Sequence, residues 1–214
     1  MIKHLVAAAA AIALTTSAFA GTSSFDSGAE FAGTQGAGGW TYGYYATAGN
    51  ASSFTQFASY DPSGAIKWWE ESATQAPWTL LWDTGGHPDS TTNHWAVRRW
   101  TSGTAGDLTS LGIQYKAEDV GSTMVHVLVD GTELFSGVTS STLQTWSATA
   151  ATQVHAGSFV DFAIDANGID AGDSTRFTAQ GLVVTAVPEP ESLAMMLAGL
   201  GLLSAVARRR KNAS

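Results

Sequence analysis

The residues that could do chemistry in this chain are aromatic and acidic. Trp40, Tyr42 and Tyr44 recur at a spacing of two, which on a strand puts all three on one face. Such a row serves either as core or as flat stacking faces for sugar rings, because an aromatic ring joins a large apolar face to a polar edge. Trp68 and Trp69 are adjacent, so a strand sends one to each side, and one is expected at the surface. These five residues are the candidate ligand-binding set. Asp161, Asp165, Asp170 and Asp173 crowd one strand and the loop after it. Hard oxygen ligands in a glycine-containing loop suit calcium, so Asp165, Asp170 and Asp173 are its candidate ligands. Their spacing is not that of an EF-hand, and Asx-turns account for most of the cluster.

Other chemistries find little support. His87 and His94 would need Asp83 or Asp89 as a third ligand, and nothing in the spacing selects that set. With no cysteine, thiol catalysis and Cys-ligated metals are excluded. There is no Gly-x-Ser-x-Gly elbow. Gly172-Asp173-Ser174 matches the start of an esterase motif, but it falls late in an all-β body. Two carboxylates could meet at the ~5–9 Å that glycoside hydrolysis uses, yet none sits in a recognisable context. No catalytic residue is expected, and no cofactor other than calcium. Arg98 and Arg99 alternate faces on a strand, so one must point inward or along an interface. A buried Arg needs a carboxylate partner, for which Asp161 or Asp173 would serve.

The elements that must hold these residues are strands. Val97 and Arg99 share one face of a strand, with Arg98 and Trp100 on the other. Leu111, Ile113 and Tyr115 alternate, as do Val125, Val127 and Val129, and Val160, Phe162 and Ile164. Asp130-Gly131 between apolar alternations is a strong hairpin signal. Residues 83–93, with Gly85-Gly86 and His87-Pro88, read as a loop by composition. No helical period appears before Leu193. Short strands at turn spacing predict an all-β domain, a β-sandwich of jelly-roll type.

Both ends of the chain look like addressing. Lys3 and His4 precede an apolar run and the small-residue site Ala18-Phe19-Ala20, the layout of a secretory signal peptide over residues 1–20. Residues 21–186 then form the exported domain, with sixteen Asp and Glu against five Lys and Arg. So acidic a domain lacks the basic patch that nucleic acid requires. Without disulfides it must rely on its core and hydrogen bonds. Residues 187–214 have three parts. Pro188-Glu189-Pro190 is a rigid punctuation, an apolar run fills residues 192–207, and Arg208, Arg209, Arg210 and Lys211 form a cytoplasmic stop. The run would be about 24 Å long as a helix at 1.5 Å per residue, short of the roughly 30 Å hydrocarbon core. That suits a transient anchor, removed when a protease acts at the Pro-Glu-Pro end.

This tail resembles the PEP-CTERM sorting signals of exported proteins in Gram-negative bacteria that make extracellular polysaccharide. The resemblance implies an inner-membrane exosortase as processing partner. It also implies Sec export, transient inner-membrane anchoring and delivery to the cell surface or matrix. The body is similar to a group of bacterial extracellular jelly-roll modules through Gln35-Gly36, Trp40-x-Tyr42-Gly43-Tyr44, His87-Pro88, Val97–Trp100, Asp130-Gly131, Asp161-Phe162 and Asp173–Phe177. It departs from that group at Gly121-Ser122 and Gly157-Ser158, where a Gly-Asp is expected. The function expected is that of a non-enzymatic surface or matrix protein associated with exopolysaccharide or biofilm. A carbohydrate-binding module is the first alternative, and a secreted glycan or ester hydrolase the second.

Overall fold

Alternation of apolar and polar residues writes most of the strands. The computed structural model describes residues 21–71, 78–89, 94–168, 172–185, 196 and 199–203. Residues 1–20, expected to be a signal peptide, Asp170, Pro188-Glu189-Pro190 and the Arg208–Lys211 block lie outside the described residues. Thr22–Thr185 forms one compact unit. Its strands are β1 (Thr22–Asp26), β2 (Trp40–Tyr45), β3 (Phe54–Gln56), β4 (Ser59–Asp61), β5 (Trp68–Glu70), β6 (Leu80–Trp82), β7 (Gly85–His87), β8 (Trp95–Thr101), β9 (Gly106–Ala117), β10 (Met124–Val129), β11 (Thr132–Val138), β12 (Gln144–Ser147), β13 (Thr152–Val154), β14 (Phe159–Asp165) and β15 (Thr175–Val184).

They make two antiparallel sheets. The larger runs β12-β9-β15-β7-β6-β5-β4, with β1 on β15 and β13 on β9; the smaller runs β11-β10-β14-β8-β2-β3. This is the jelly-roll-type sandwich expected from the strand pattern. Between the sheets lies an aromatic core that includes Phe25, Trp40, Tyr42, Trp100, Phe162 and Phe177. Phe25 sits at its centre, 4.4 Å from the Trp100 ring and 5.7 Å from Trp40. The Phe25 ring occupies the place a Cβ would take on Gly181, the neighbour it meets across β1 and β15. The Asp130-Gly131 hairpin forms as read, with positive φ of 48° and 80° and Val129 opposite Thr132, the two-residue type I′ geometry.

Two expectations need correction. The 83–93 stretch is not simply loop, because Gly85–His87 is strand β7, paired with β6 and β15. Its glycines are what make it a strand. A Cβ on Gly85 would run into the Thr175 carbonyl, and one on Gly86 would lie 2.8 Å from Leu81 Cδ2 and 2.9 Å from Ile164 Cδ1. Composition alone reads such a glycine pair as a turn. The second correction concerns the arginines. Arg98 points inward and is fully buried, but its partners are main-chain carbonyls, not a carboxylate. It donates to Asp83 O (2.8 Å), Gly85 O (2.7 Å), Ser27 O (3.3 Å) and Trp82 O. Burial pushes its pKa down to about 10, so it stays charged at neutral pH. Asp161 instead pairs with Arg99, whose Nε and Nη2 each donate at 2.7 Å.

Replacing Arg98 with Met should lower stability by at least about 3 kcal/mol, since several buried carbonyls lose their donor at roughly 1–3 kcal/mol each. Urea unfolding followed by tryptophan fluorescence would read this as a lower midpoint.

Candidate functional site

The candidate aromatic residues divide by face. Trp40 and Tyr42 are fully buried, and Trp69 is nearly so. Trp40 Nε1 donates to Glu30 at 2.7 Å. Tyr42 stacks on Trp69 at 5.9 Å, and Trp69 Nε1 donates to Ala32 O at 2.8 Å. These three rings are core, which corrects their candidacy as stacking platforms. The reason is the spacing itself: on β2 the two-residue period turns Trp40 and Tyr42 toward the opposite sheet. Tyr44 continues the row at its half-buried end, but Phe57 (5.9 Å) and His94 (4.7 Å) lie against its ring. His94 in turn meets Glu71 at 3.0 Å, and His87 Nδ1 lies 2.6 Å from Pro88 O. Asp165 accepts from Asn167 N at 3.0 Å and faces His126 Nε2 at 3.8 Å. Asp173 is buried. Among the described residues no cluster of three His, Asp or Glu is arranged to hold a metal.

Trp68 is the candidate that remains at the surface. It sits opposite Trp82 in the β5–β6 register, and directly opposed residues on antiparallel strands hold their Cβ atoms about 4.5–5.5 Å apart. The two half-buried indoles are thus neighbours on the outer face, while Trp69 and Leu81 turn inward. Trp68 Nε1 donates to Glu70 Oε2 at 3.1 Å, and Ser59 Oγ holds the other Glu70 oxygen at 3.1 Å. Trp82 lies against Gly85: a Cβ there would come within 2.8 Å of the indole. The pair opens into a groove of about 400 Å³, with Ile66 and Leu80 on its apolar side and Glu118, Asp119 and Ser174 on its polar side. Flat apolar faces beside oxygen acceptors and a hydroxyl can stack a sugar ring and bond its hydroxyls.

Trp82 escaped the sequence reading. The available signal was its place just before the glycine pair that makes room for it. Glu118 and Asp119 arrive from the far end of β9, and no sequence spacing links them to Trp68. Farther along the same sheet lies a smaller concavity of about 200 Å³, lined by amides and hydroxyls such as Gln114, Thr145, Thr178 and Gln180.

The rest of the chain is its tail, where residues 196 and 199–203 are helical. Among the described residues no helix is long and apolar enough to cross a membrane; most of the 192–207 run lies outside them. The order of parts in this tail has a counterpart among known proteins. Residues 186–211 match the PEP-CTERM protein-sorting motif. The chain is therefore that of an exported protein carrying a PEP-CTERM sorting tail. No curated protein matches the chain in sequence.

Solved structures similar to the chain include a Podospora anserina GH26-CBM35 β-(1,4)-mannanase, at 13% identity and TM-score 0.34. That alignment covers 79% of this chain and spans 29% of the mannanase. The CBM22-1 xylan-binding domain of Paenibacillus barcinonensis Xyn10C is 9% identical at TM-score 0.35, covering 68% of this chain and 94% of that one. A carbohydrate-binding module, CBM36, in complex with calcium and xylotriose is 12% identical at TM-score 0.32, covering 59% and 98%.

Acrylamide quenching tests the division of rings. Trp68→Phe or Trp82→Phe should remove quenchable emission, whereas Trp40→Phe should remove only protected emission. Loss of equal shares from all three variants would contradict the burial described above.

Proposed function

We propose that this protein is a non-enzymatic surface or matrix component that binds extracellular polysaccharide through the Trp68–Trp82 groove after an exosortase processes its tail. The observation that carries the binding reading is the cross-strand Trp68–Trp82 pair on the outer face, with Glu118, Asp119 and Ser174 across the groove. Half-buried neighbouring indoles can bury their remaining apolar face against a ligand. The tail supports delivery outside the cell, where a polysaccharide ligand would be met.

Affinity electrophoresis in gels containing a panel of polysaccharides tests the binding reading. Retardation is expected with at least one polymer. Trp68→Ala or Trp82→Ala should weaken it by about 2 kcal/mol, or roughly thirtyfold, as expected for a tryptophan anchor. Unretarded migration across the whole panel would refute the reading.

Processing has its own test. Changing Pro188-Glu189-Pro190 to alanines should leave full-length protein in the inner membrane, read by fractionation and immunoblot. Normal release of the altered chain would exclude exosortase recognition of that element.

A further inference from the structure

The charge around the groove selects among polysaccharides, an inference that deepens the binding reading and rests on it. We infer that the Trp68–Trp82 groove prefers a polysaccharide whose sugars carry free ammonium groups, such as a de-N-acetylated hexosamine polymer, over its neutral N-acetylated form and over polyuronates. Three observations on different scales agree.

The first is the lining. Among the described residues its charged side chains are Glu118 and Asp119, both exposed, and no Lys or Arg lines it. Two cations stand at the β9–β15 edge of the groove: Lys116, 3.5 Å from Glu118, and Arg176, in register with Lys116 and with Gly85; among the described residues neither forms an ion pair with Asp119. The second is the floor. Indole faces attract cations through their quadrupole, and tryptophan does so best among aromatic residues. An ammonium group on a stacked ring would therefore meet an aromatic face and a carboxylate wall together. A neutral sugar uses the stacking and the hydroxyl hydrogen bonds but gains neither the cation–π contact nor the ion pair.

The third is the field of the whole domain. Residues 21–186 carry sixteen acids against five Lys and Arg, and the fold takes two of those five off the surface together with Asp89, Asp161 and Asp173, so the excess of acid remains. Arg98 is fully buried. Arg99 lies between the rings of Phe54 (4.1 Å) and Phe159 (3.9 Å) and is held by Asp161. Lys67, Lys116 and Arg176 are left to offset the acids. An anionic polymer approaching within a Debye length of about 8 Å is repelled, and a cationic one is drawn in.

The test uses the full-length chain with chitosan oligomers, the same oligomers re-N-acetylated, and alginate, at a pH where the amine is protonated. Chitosan oligomers should bind about tenfold more tightly than their acetylated counterparts, from one cation–π contact and one exposed ion pair per engaged sugar. The preference should shrink with added salt, and alginate should not bind. The variant Glu118→Gln/Asp119→Asn should cut the preference to the few-fold that the cation–π contact alone supplies and remove its salt dependence, read as the ratio of the two affinities in the same variant. Equal affinity for both oligomers overturns the inference but leaves the polysaccharide reading intact; so does a preference that is undiminished in that variant. Chitosan binding undiminished by Trp68→Ala, and matched by polylysine, would assign it to bulk charge and also overturn the inference. Failure of every polymer to bind would remove both.

Discussion

A single cation in the middle of the sandwich holds the two sheets in register. Arg98 leaves β8 in the smaller sheet, crosses the core, and donates to carbonyls of the β6–β7 turn and of Ser27 at the end of β1. A charge so deeply buried is costly unless hydrogen bonds replace its water. A guanidinium suits the task because its planar fork offers five donors at fixed angles, and a tight turn supplies several carbonyls close together. The turn that satisfies Arg98 also carries Trp82. The demand for internal solvation thus fixes the backbone from which one wall of the groove projects.

Arg99, one residue on, meets the opposite environment and finds a different solution. It lies on the outer side of the smaller sheet, forks onto Asp161, and is covered by Phe54 and Phe159. Tyr45 donates to the same carboxylate at 2.5 Å. Burial, and then the Asp161 charge, hold the Tyr45 phenol well above its ordinary pKa, so it remains a donor. Beneath this network Tyr45, Val97 and Ala163 form a second small core, with Ala51, Phe54 and Trp95 packed on it. A face that alternation would leave to solvent is thereby sealed. The consequence for function is electrostatic: Arg98 and Arg99 are satisfied inside the fold while Asp89, Asp161 and Asp173 are buried with them, so the exterior keeps the strong acidity of the composition.

Much of the fold is legible in the chain because period and turn chemistry are local. Asp130-Gly131 specifies its hairpin through positive φ at both positions. The faces of β8 follow from alternation, which placed Val97 with Arg99 and Arg98 with Trp100. The adjacent pair Trp68-Trp69 splits between surface and core for the same reason. Legibility fails where a residue's role depends on what crosses to meet it. Gly85 and Gly86 look like a turn until Thr175, Ile164 and the Trp82 ring are seen to occupy the space their side chains would need. Gln35 gives no sequence hint that its amide bonds both main-chain groups of Tyr42 in place of a neighbouring strand.

The sequence by itself determined that this is an exported, acidic, all-β protein with a sorting tail. Those properties depend on composition and on the order of short segments, which no folding alters. Only the tertiary structure decided which tryptophans face water and which carboxylates stand beside them. Trp40 and Trp68 are chemically the same residue, and each sits on a strand with aromatic neighbours. Trp40 is buried because its face of β2 meets the opposite sheet, and Trp68 lines a groove because its face of β5 meets none. That difference arises from packing between segments distant in sequence, where the free energy of burying an apolar face is settled.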